Sequence, residues 1–293
     1  MVVRTLTLIF SALLWVTPIQ GASHAKAPVV RHTLYESAES EVLNYKGEIL
    51  QLVLEKSRAK YGPYVLENGH KKGWGQTRVF NQLELGNLDV VASMTNLERE
   101  SKAIPVRYCL YKGLLGVRIG MGTRDNVDKL NGIASREALN QVDLGQVFDW
   151  PDYAIQKDAG LKVLSLPDLP SSLNRLKIGS FQLMPMGVVE VQAIAQANAL
   201  FTISEWAIAY PTAYYFFVGK QRPELAERLA YGFEQALRDH SFDQLFSRRM
   251  EPLIQSAGLR TRKFFYLKNP YLPPRTPLER KELWHPLVLQ QLK

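Results

Sequence analysis

Residues 82–99, QLELGNLDVVASMTNLER, contain an apolar strand that is followed directly by polar residues. An amphipathic helix and a glycine turn lead into the apolar strand Leu88 to Ala92. The strand runs directly into Ser93, Thr95 and Arg99, which are two hydroxyls and a cation. Polar side chains at the carboxyl end of a strand are typical of ligand sites in α/β proteins. We therefore predict that this strand end is part of a binding cleft.

Helices and strands alternate on both sides of this stretch. Hydrophobic periodicity and breaker residues predict helices over 45–60, 78–85, 135–140, 153–159, 171–178, 222–238 and 241–249. Strands are predicted over 64–66, 88–92, 114–119, 144–147, 161–166, 206–211 and 213–218. Ser241 is predicted to cap the last helix. This order predicts an α/β fold with parallel sheets.

A second glycine turn and strand occupy an equivalent place later in the chain. The segment GSFQLMPMG (179–187) follows an amphipathic helix, as GNLDVVASM (86–94) does. If two such sheets face each other, Thr95 and Arg99 lie on one wall of a cleft and residues 187–190 lie on the other.

The first 25 residues have the order of a secretory signal peptide. Arg4 precedes an apolar run of eleven residues, Leu6 to Val16, and small residues follow as far as Ala25. The run is too short to span a bilayer. We expect cleavage after Ala25, with Gly21 as the alternative, and export of the mature chain. A buried N-terminal helix or an uncleaved anchor is the other interpretation.

Composition narrows the class of protein. The chain has 293 residues, 46% of them hydrophobic and 22% charged, which suits a globular protein of two lobes. The net charge of +8 is spread along the sequence, so with export it indicates no nucleic-acid partner. A positive cleft for anionic ligands and a generic basic surface both fit this charge. The single cysteine, Cys109, excludes an internal disulfide framework.

Signatures of catalysis and of metal binding were searched for in the sequence. It contains no G-x-S-x-G elbow, H-E-x-x-H pair or Walker loop. The four histidines of the mature chain are far apart: His32, His70, His240 and His285. We predict no catalytic residues, no metal site and no cofactor.

Five segments resemble the bacterial extracellular solute-binding protein family 3. They are GNLDVVASMTNLERE (86–100), KGLLGVRI (112–119), GSFQLMPMGVVE (179–190), YYFFVGKQRPELAERLAYGFEQALRDHSFDQLF (214–246) and NPYLPP (269–274). The resemblance implies the two-lobed α/β fold of type II periplasmic binding proteins, with a central ligand cleft and two hinge strands. It places lobe 1 at 26–115 and 214–293, with a proline-rich tail, and lobe 2 at 116–213.

The resemblance also implies ligand contacts in lobe 1. Members that bind amino acids use a Thr or Ser and an Arg for the α-carboxylate, and Thr95 and Arg99 match that pattern. A guanidinium takes a carboxylate in bidentate fashion. The usual spacing is one residue longer than here, so the alternative is that Arg99 is a solvated helix residue. Tyr35 stands where the family often has an aromatic wall, and its alternative is an exposed loop tyrosine.

Lobe 2 departs from the family pattern. The aspartate that holds the ligand ammonium in those members is replaced here by Gly187. Glu190 and Asp152 are the candidate anions, and Trp150 could stack on a ligand. Solvent exposure of Glu190 and core packing of Trp150 are the alternatives.

These observations predict a periplasmic solute-binding protein and not an enzyme. We expect it to capture a small polar solute, amino-acid-like or an organic anion, by lobe closure, and to serve an ABC-type permease. The mature chain is expected not to insert into the membrane. An orphan sensor domain and a dehydratase-like enzyme on the same fold are the alternatives. The enzyme would require Asp152 and Glu190 to converge on one cleft with a perturbed pKa.

Overall fold

The computed structural model describes residues 27–34, 41–69 and 74–289. The predicted signal peptide, Tyr35 and His70 lie outside these ranges. The strands are β1 (Val29–His32), β2 (Val65–Asn68), β3 (Val90–Met94), β4 (Ile104–Val106), β5 (Val117–Gly122), β6 (Leu144–Val147), β7 (Val163–Leu166), β8 (Met184–Gly187), β9 (Phe201–Thr202), β10 (Trp206–Ala209), β11 (Tyr214–Val218) and β12 (Lys263–Tyr266).

The helices alternate with these strands. They are α1 (Glu41–Lys56), α2 (Arg58–Tyr61), α3 (Gln76–Glu84), α4 (Leu97–Lys102), α5 (Arg124–Leu130), α6 (Arg136–Leu139), α7 (Pro151–Asp158), α8 (Leu169–Lys177), α9 (Val191–Ala197), α10 (Pro223–Arg238), α11 (Ser241–Ser256) and α12 (Pro286–Leu289). Within the described ranges, no helix is both long and apolar enough to cross a membrane.

The first sheet has the strand order β2-β1-β3-β11-β4. Strand β1 is parallel to β2 and β3, whereas β11 is antiparallel to β3 and β4. The prediction of a parallel sheet is therefore confirmed for β1, β2 and β3 and wrong for β11. β11 re-enters this sheet from the other lobe, and that entry sets its direction.

The second sheet has the order β12-β10-β5-β8, and β9 also pairs with β5. The parallel pair β6 and β7 extends this lobe through a bridge between Leu144 and Leu183. Strand β12 pairs with β10. It is therefore an exception to the proposed assignment of 214–293 to lobe 1. No sequence pattern distinguishes this short strand from its neighbours in that segment.

Two connecting segments, 107–116 and 210–213, link the sheets and lie against each other. The Tyr210 N–H donates to the Gly116 carbonyl over 3.1 Å. A side chain at Gly116 would collide with the Tyr210 backbone, so this contact requires glycine. The proline-rich tail crosses the same region, because the Asn269 side chain donates to the Pro211 carbonyl. The tail therefore packs against the hinge, which is formed by segments 107–116 and 210–213.

The start of α11 differs from the prediction. His240, at φ 60°, occupies the cap position, and Ser241 is already helical. The Ser241 hydroxyl donates to Asp239 and does not cap the helix. The left-handed turn at His240 shifts the helix start by one residue.

Candidate functional site

A small polar cavity of 80 Å³ lies at the carboxyl ends of β1 and β3, beside the start of β11. Ligands in open α/β sheets bind at such strand ends. Its lining includes the polar and aromatic residues Thr33, Lys46, Trp74, Gln76, Phe80, Ser93 and Tyr214. The predicted strand end at Ser93 is therefore part of a cavity.

Arg99 is buried beside this cavity, with 7% of its surface exposed. The Asn96 side chain caps α4 by accepting from the Arg99 N–H. Its guanidinium donates to Ser93 Oγ at 2.7 Å, to the Met94 carbonyl at 2.9 Å, to Gln76 Oε1 at 2.6 Å and to the Asp149 carbonyl at 2.8 Å. In this closed arrangement, protein acceptors therefore surround the guanidinium.

Thr95 is also buried and bonded within the protein. Its hydroxyl donates to Glu100 Oε1 over 2.8 Å, and its N–H donates to the Ala213 carbonyl over 2.9 Å. Glu100 in turn forms an ion pair with Arg107. These contacts tie the end of β3 to the hinge segments.

Lobe 2 contains a buried ion cluster, which we call the Arg118 cluster: Arg118, Asp152, Glu190 and Tyr210. Arg118 forms an ion pair with Asp152 and lies 3.5 Å from Glu190. The Tyr210 hydroxyl donates to Asp152. The side chains of Arg118 and Asp152 are 3% and 4% exposed, and that of Glu190 is 31% exposed. The two carboxylates singled out from sequence therefore meet on one arginine, and Glu190 is the one that reaches solvent.

Gly187 and Glu190 form one local structure. The Gly187 N–H donates to Glu190 Oε1 over 3.1 Å. A Cβ at Gly187 would lie 2.6 Å from Leu115 Cδ2 and 3.0 Å from Glu190 Oε1. The aspartate typical of the family would not fit here, because Leu115 and Glu190 occupy the space of its side chain.

Burial raises the pKa of Glu190 and outweighs the opposing effects of the Arg118 guanidinium, the Gly187 N–H and the Lys46 ammonium. Lys46 belongs to α1, which packs with α10 on the first sheet, whereas Glu190 belongs to lobe 2. A cation of one lobe therefore acts on an anion of the other across the cleft.

A Glu190→Gln variant is expected to be more stable than the wild type at neutral pH, by no more than about 1 kcal/mol. A raised carboxyl pKa means that the folded state loses stability as pH rises above the ordinary glutamate value, and glutamine removes that loss. Urea denaturation across the acidic to neutral range would measure it, with Glu205→Gln as an exposed control. A loss of stability at neutral pH would contradict the expectation and show that pairing with Arg118 dominates.

Trp150 directly precedes α7 and is half-buried. It lines a second cavity of 290 Å³, whose walls include Thr77, Asn96, Arg99 and Phe148. Its proposed stacking role stays a prediction. Within the described ranges, no group of three or more His, Cys, Asp or Glu side chains could hold a metal ion.

Several lining residues were not identified from sequence. Lys46 lies 36 residues before the stretch 82–99, and Trp74 lies just before α3; the fold brings both to the cavity. Arg118 had a usable signal, because it is the only charge in the strand VRIGMG. A lone cation in a buried strand requires a buried anion as partner.

No protein-family model matches the sequence, and no curated protein matches it. Solved structures do match the fold. A periplasmic binding protein of Salmonella typhimurium with high arginine specificity has a TM-score of 0.58 at 10% identity, over 77% of this chain and 100% of that one. A His/Glu/Gln/Arg/opine family-binding protein of Silicibacter pomeroyi, in complex with lysine, has a TM-score of 0.57 at 8% identity, over 76% and 97%.

A third match is an ancestral amino-acid-binding protein described as a precursor of cyclohexadienyl dehydratase. Its TM-score is 0.53 at 17% identity, over 76% of this chain and 95% of that one. These likenesses show that the chain has the two-lobed fold of periplasmic binding proteins, as the sequence predicted.

Proposed function

We propose that the chain is a periplasmic solute-binding protein that captures a small polar solute, amino-acid-like or an organic anion, between its two lobes. The proposal includes export through the predicted signal peptide and delivery of the solute to an ABC-type permease. A periplasmic sensor is the alternative partner. The solute would stabilise the closed form through contacts that it makes with both lobes.

Beside the 290 Å³ cavity that both lobes line, the polar cavity at the strand ends of lobe 1 is the observation that carries this proposal. It combines an ammonium group from Lys46, hydroxyls from Thr33 and Ser93, and the aromatic side chains of Trp74 and Tyr214. A few polar groups on an otherwise apolar wall are typical of small-molecule sites. Lys46 favours an anionic group on the solute.

Thr95 and Arg99 are the proposed carboxylate ligands of the open form. Asp149 belongs to lobe 2, so lobe opening would withdraw its carbonyl from Arg99. The released N–H group could then take a solute carboxylate. Trp150 and Glu190 are the proposed contacts from lobe 2, Asp152 supports Glu190 through Arg118, and Tyr35 is proposed as the aromatic wall.

A thermal-shift screen of amino acids, small organic acids and polyamines should identify compounds that raise the melting temperature of the mature protein. A ligand at 100 times its Kd adds about 2.7 kcal/mol to the stability of the folded state. Lys46→Met should abolish the shift produced by an anionic hit, and Lys129→Met, an exposed control, should retain it. An equal shift in the Lys46 variant, or no hit at all, would count against the proposal.

A dehydratase-like enzyme is the second candidate function. The convergence of Asp152 and Glu190 on Arg118 favours it, together with the raised pKa of Glu190. A raised pKa makes a carboxyl group better suited to act as a general acid.

Mass spectrometry of a bound hit recovered after incubation separates the two functions. A binding protein returns the compound unchanged, whereas a dehydratase returns it with one water molecule lost. Glu190→Gln should stop that loss if Glu190 is the acid.

A further inference from the structure

Asp149 lies on lobe 2 but contacts lobe 1 through both its side chain and its backbone. We propose that it is a latch that holds the lobes closed before any solute binds. This inference rests on the proposed function, because it describes how the same cleft is regulated. The latch consists of Asp149 and its partners Thr77 and Arg99.

The side chain provides the first contact. Asp149 Oδ2 accepts from the Thr77 N–H at 3.2 Å, in the first turn of α3. Gly75, at the cap position, has no side chain to cap the helix, and the first turn of α3 contains no acidic residue. The free N–H groups and the positive end of the helix dipole favour a carboxylate there. Asp149 therefore caps a helix of the opposite lobe.

Gly75 allows the carboxylate to come this close. A Cβ at this position would lie 3.1 Å from Asp149 Oδ2, which is tighter than ordinary van der Waals contact. The backbone at Gly75 has φ −72°, a value that any residue can adopt. A larger side chain at Gly75 would therefore press on the carboxylate, so glycine matters here for space and not for its backbone freedom.

The backbone provides the second contact. Arg99 donates to the Asp149 carbonyl at 2.8 Å and to Gln76 Oε1 at 2.6 Å. Asp149 follows β6 and directly precedes Trp150 and α7, so its position is set by the β6–β7 pair of lobe 2. One residue thus joins lobe 2 to α3 and α4 of the first lobe.

The latch has a consequence for binding. A solute carboxylate that approaches Arg99 competes with the Asp149 carbonyl and with Gln76 for the same N–H groups. Only open molecules can take up the solute, so the measured affinity equals the affinity of the open form multiplied by the fraction of molecules that are open. The latch therefore raises the threshold concentration at which the protein responds.

Small-angle X-ray scattering of the ligand-free protein tests the latch without any knowledge of the solute. Asp149→Ala should increase the radius of gyration, because the lobes separate, and Asp149→Asn should lie between it and the wild type. Gly75→Val, which acts from the opposite lobe, should also increase it. Asp125→Ala removes an acid from the first turn of a lobe 2 helix and should keep the wild-type value.

Circular dichroism shows whether each variant is folded. The latch is disproved if folded Asp149→Ala and Gly75→Val both keep the wild-type radius of gyration, or if the wild type is already as extended as they are. Failure of the proposed function has a different signature, since it shows as the absence of any stabilising compound in the thermal-shift screen. The two results are measured independently.

Discussion

An Arg118→Met variant is expected to lose about 4 kcal/mol of the free energy of unfolding at neutral pH. Methionine fills a similar volume but leaves Asp152 and Glu190 without their cation. Asp152 is 4% exposed, so its charge has little access to water. Burying an unpaired carboxylate costs far more than losing a surface ion pair.

The defect should shrink on acidification. Burial raises the pKa of Glu190, so a mildly acidic pH favours its protonation and relieves its repulsion with Asp152. Urea denaturation at that pH and at neutral pH measures the difference. Adding Asp152→Asn and Glu190→Gln to Arg118→Met should restore much of the lost stability.

Arg175→Met, an exposed arginine of α8 in the same lobe, is the matched control. Surface changes of this kind usually alter stability by less than about 0.5 kcal/mol. If Arg118→Met is no less stable than this control, the Arg118 cluster does not contribute to the free energy of unfolding.

An Arg99→Met variant is expected to lose about 3 kcal/mol of the free energy of unfolding in the absence of any solute. The arginine donates four hydrogen bonds, and three of them stay within lobe 1, to Ser93, the Met94 carbonyl and Gln76. Removing the donors takes this partner from the buried Ser93 hydroxyl and Met94 carbonyl, which costs more than the bonds themselves are worth.

Urea denaturation of the ligand-free protein measures this loss. Lys102→Met is the control, because Lys102 lies on the same helix and pairs with the exposed Glu98, an arrangement worth about 0.5 kcal/mol at most. A pure ligand-binding role for Arg99 requires the opposite outcome, with ligand-free stability equal to that of the control. The experiment therefore distinguishes a structural role of Arg99 in lobe 1 from a role in solute binding.

Much of the fold was predictable, because local patterns report burial. The alternation of helices and strands, the strand that ends at Ser93 and the helix at α10 all follow from apolar periodicity and turn residues. Strand direction was not predictable. β11 has the same local pattern as a parallel strand, and its antiparallel direction depends on where the chain re-enters the sheet.

The candidate site also has features that were predictable from the sequence and features that were not. Thr95, Arg99, Asp152 and Glu190 were identifiable, since polar residues at strand ends and helix starts mark the edge of a sheet. Their partners were not identifiable. Arg118 is separated from Glu190 by 72 residues in sequence, and only the pairing of β5 with β8 brings them together.

The amino-acid sequence alone therefore determined the α/β class, the resemblance to a two-lobed binding fold and the strand end where a cleft should open. These properties depend on local periodicity and on the chemical type of each residue. Tertiary structure alone decided that Arg99 bonds to Gln76 and to Asp149 of the other lobe. It also decided that Gly187 is needed for Leu115 and Glu190 to pack. Such contacts join residues distant in the chain, and the packing of the lobes determines which of several chemically equivalent partners a buried donor meets.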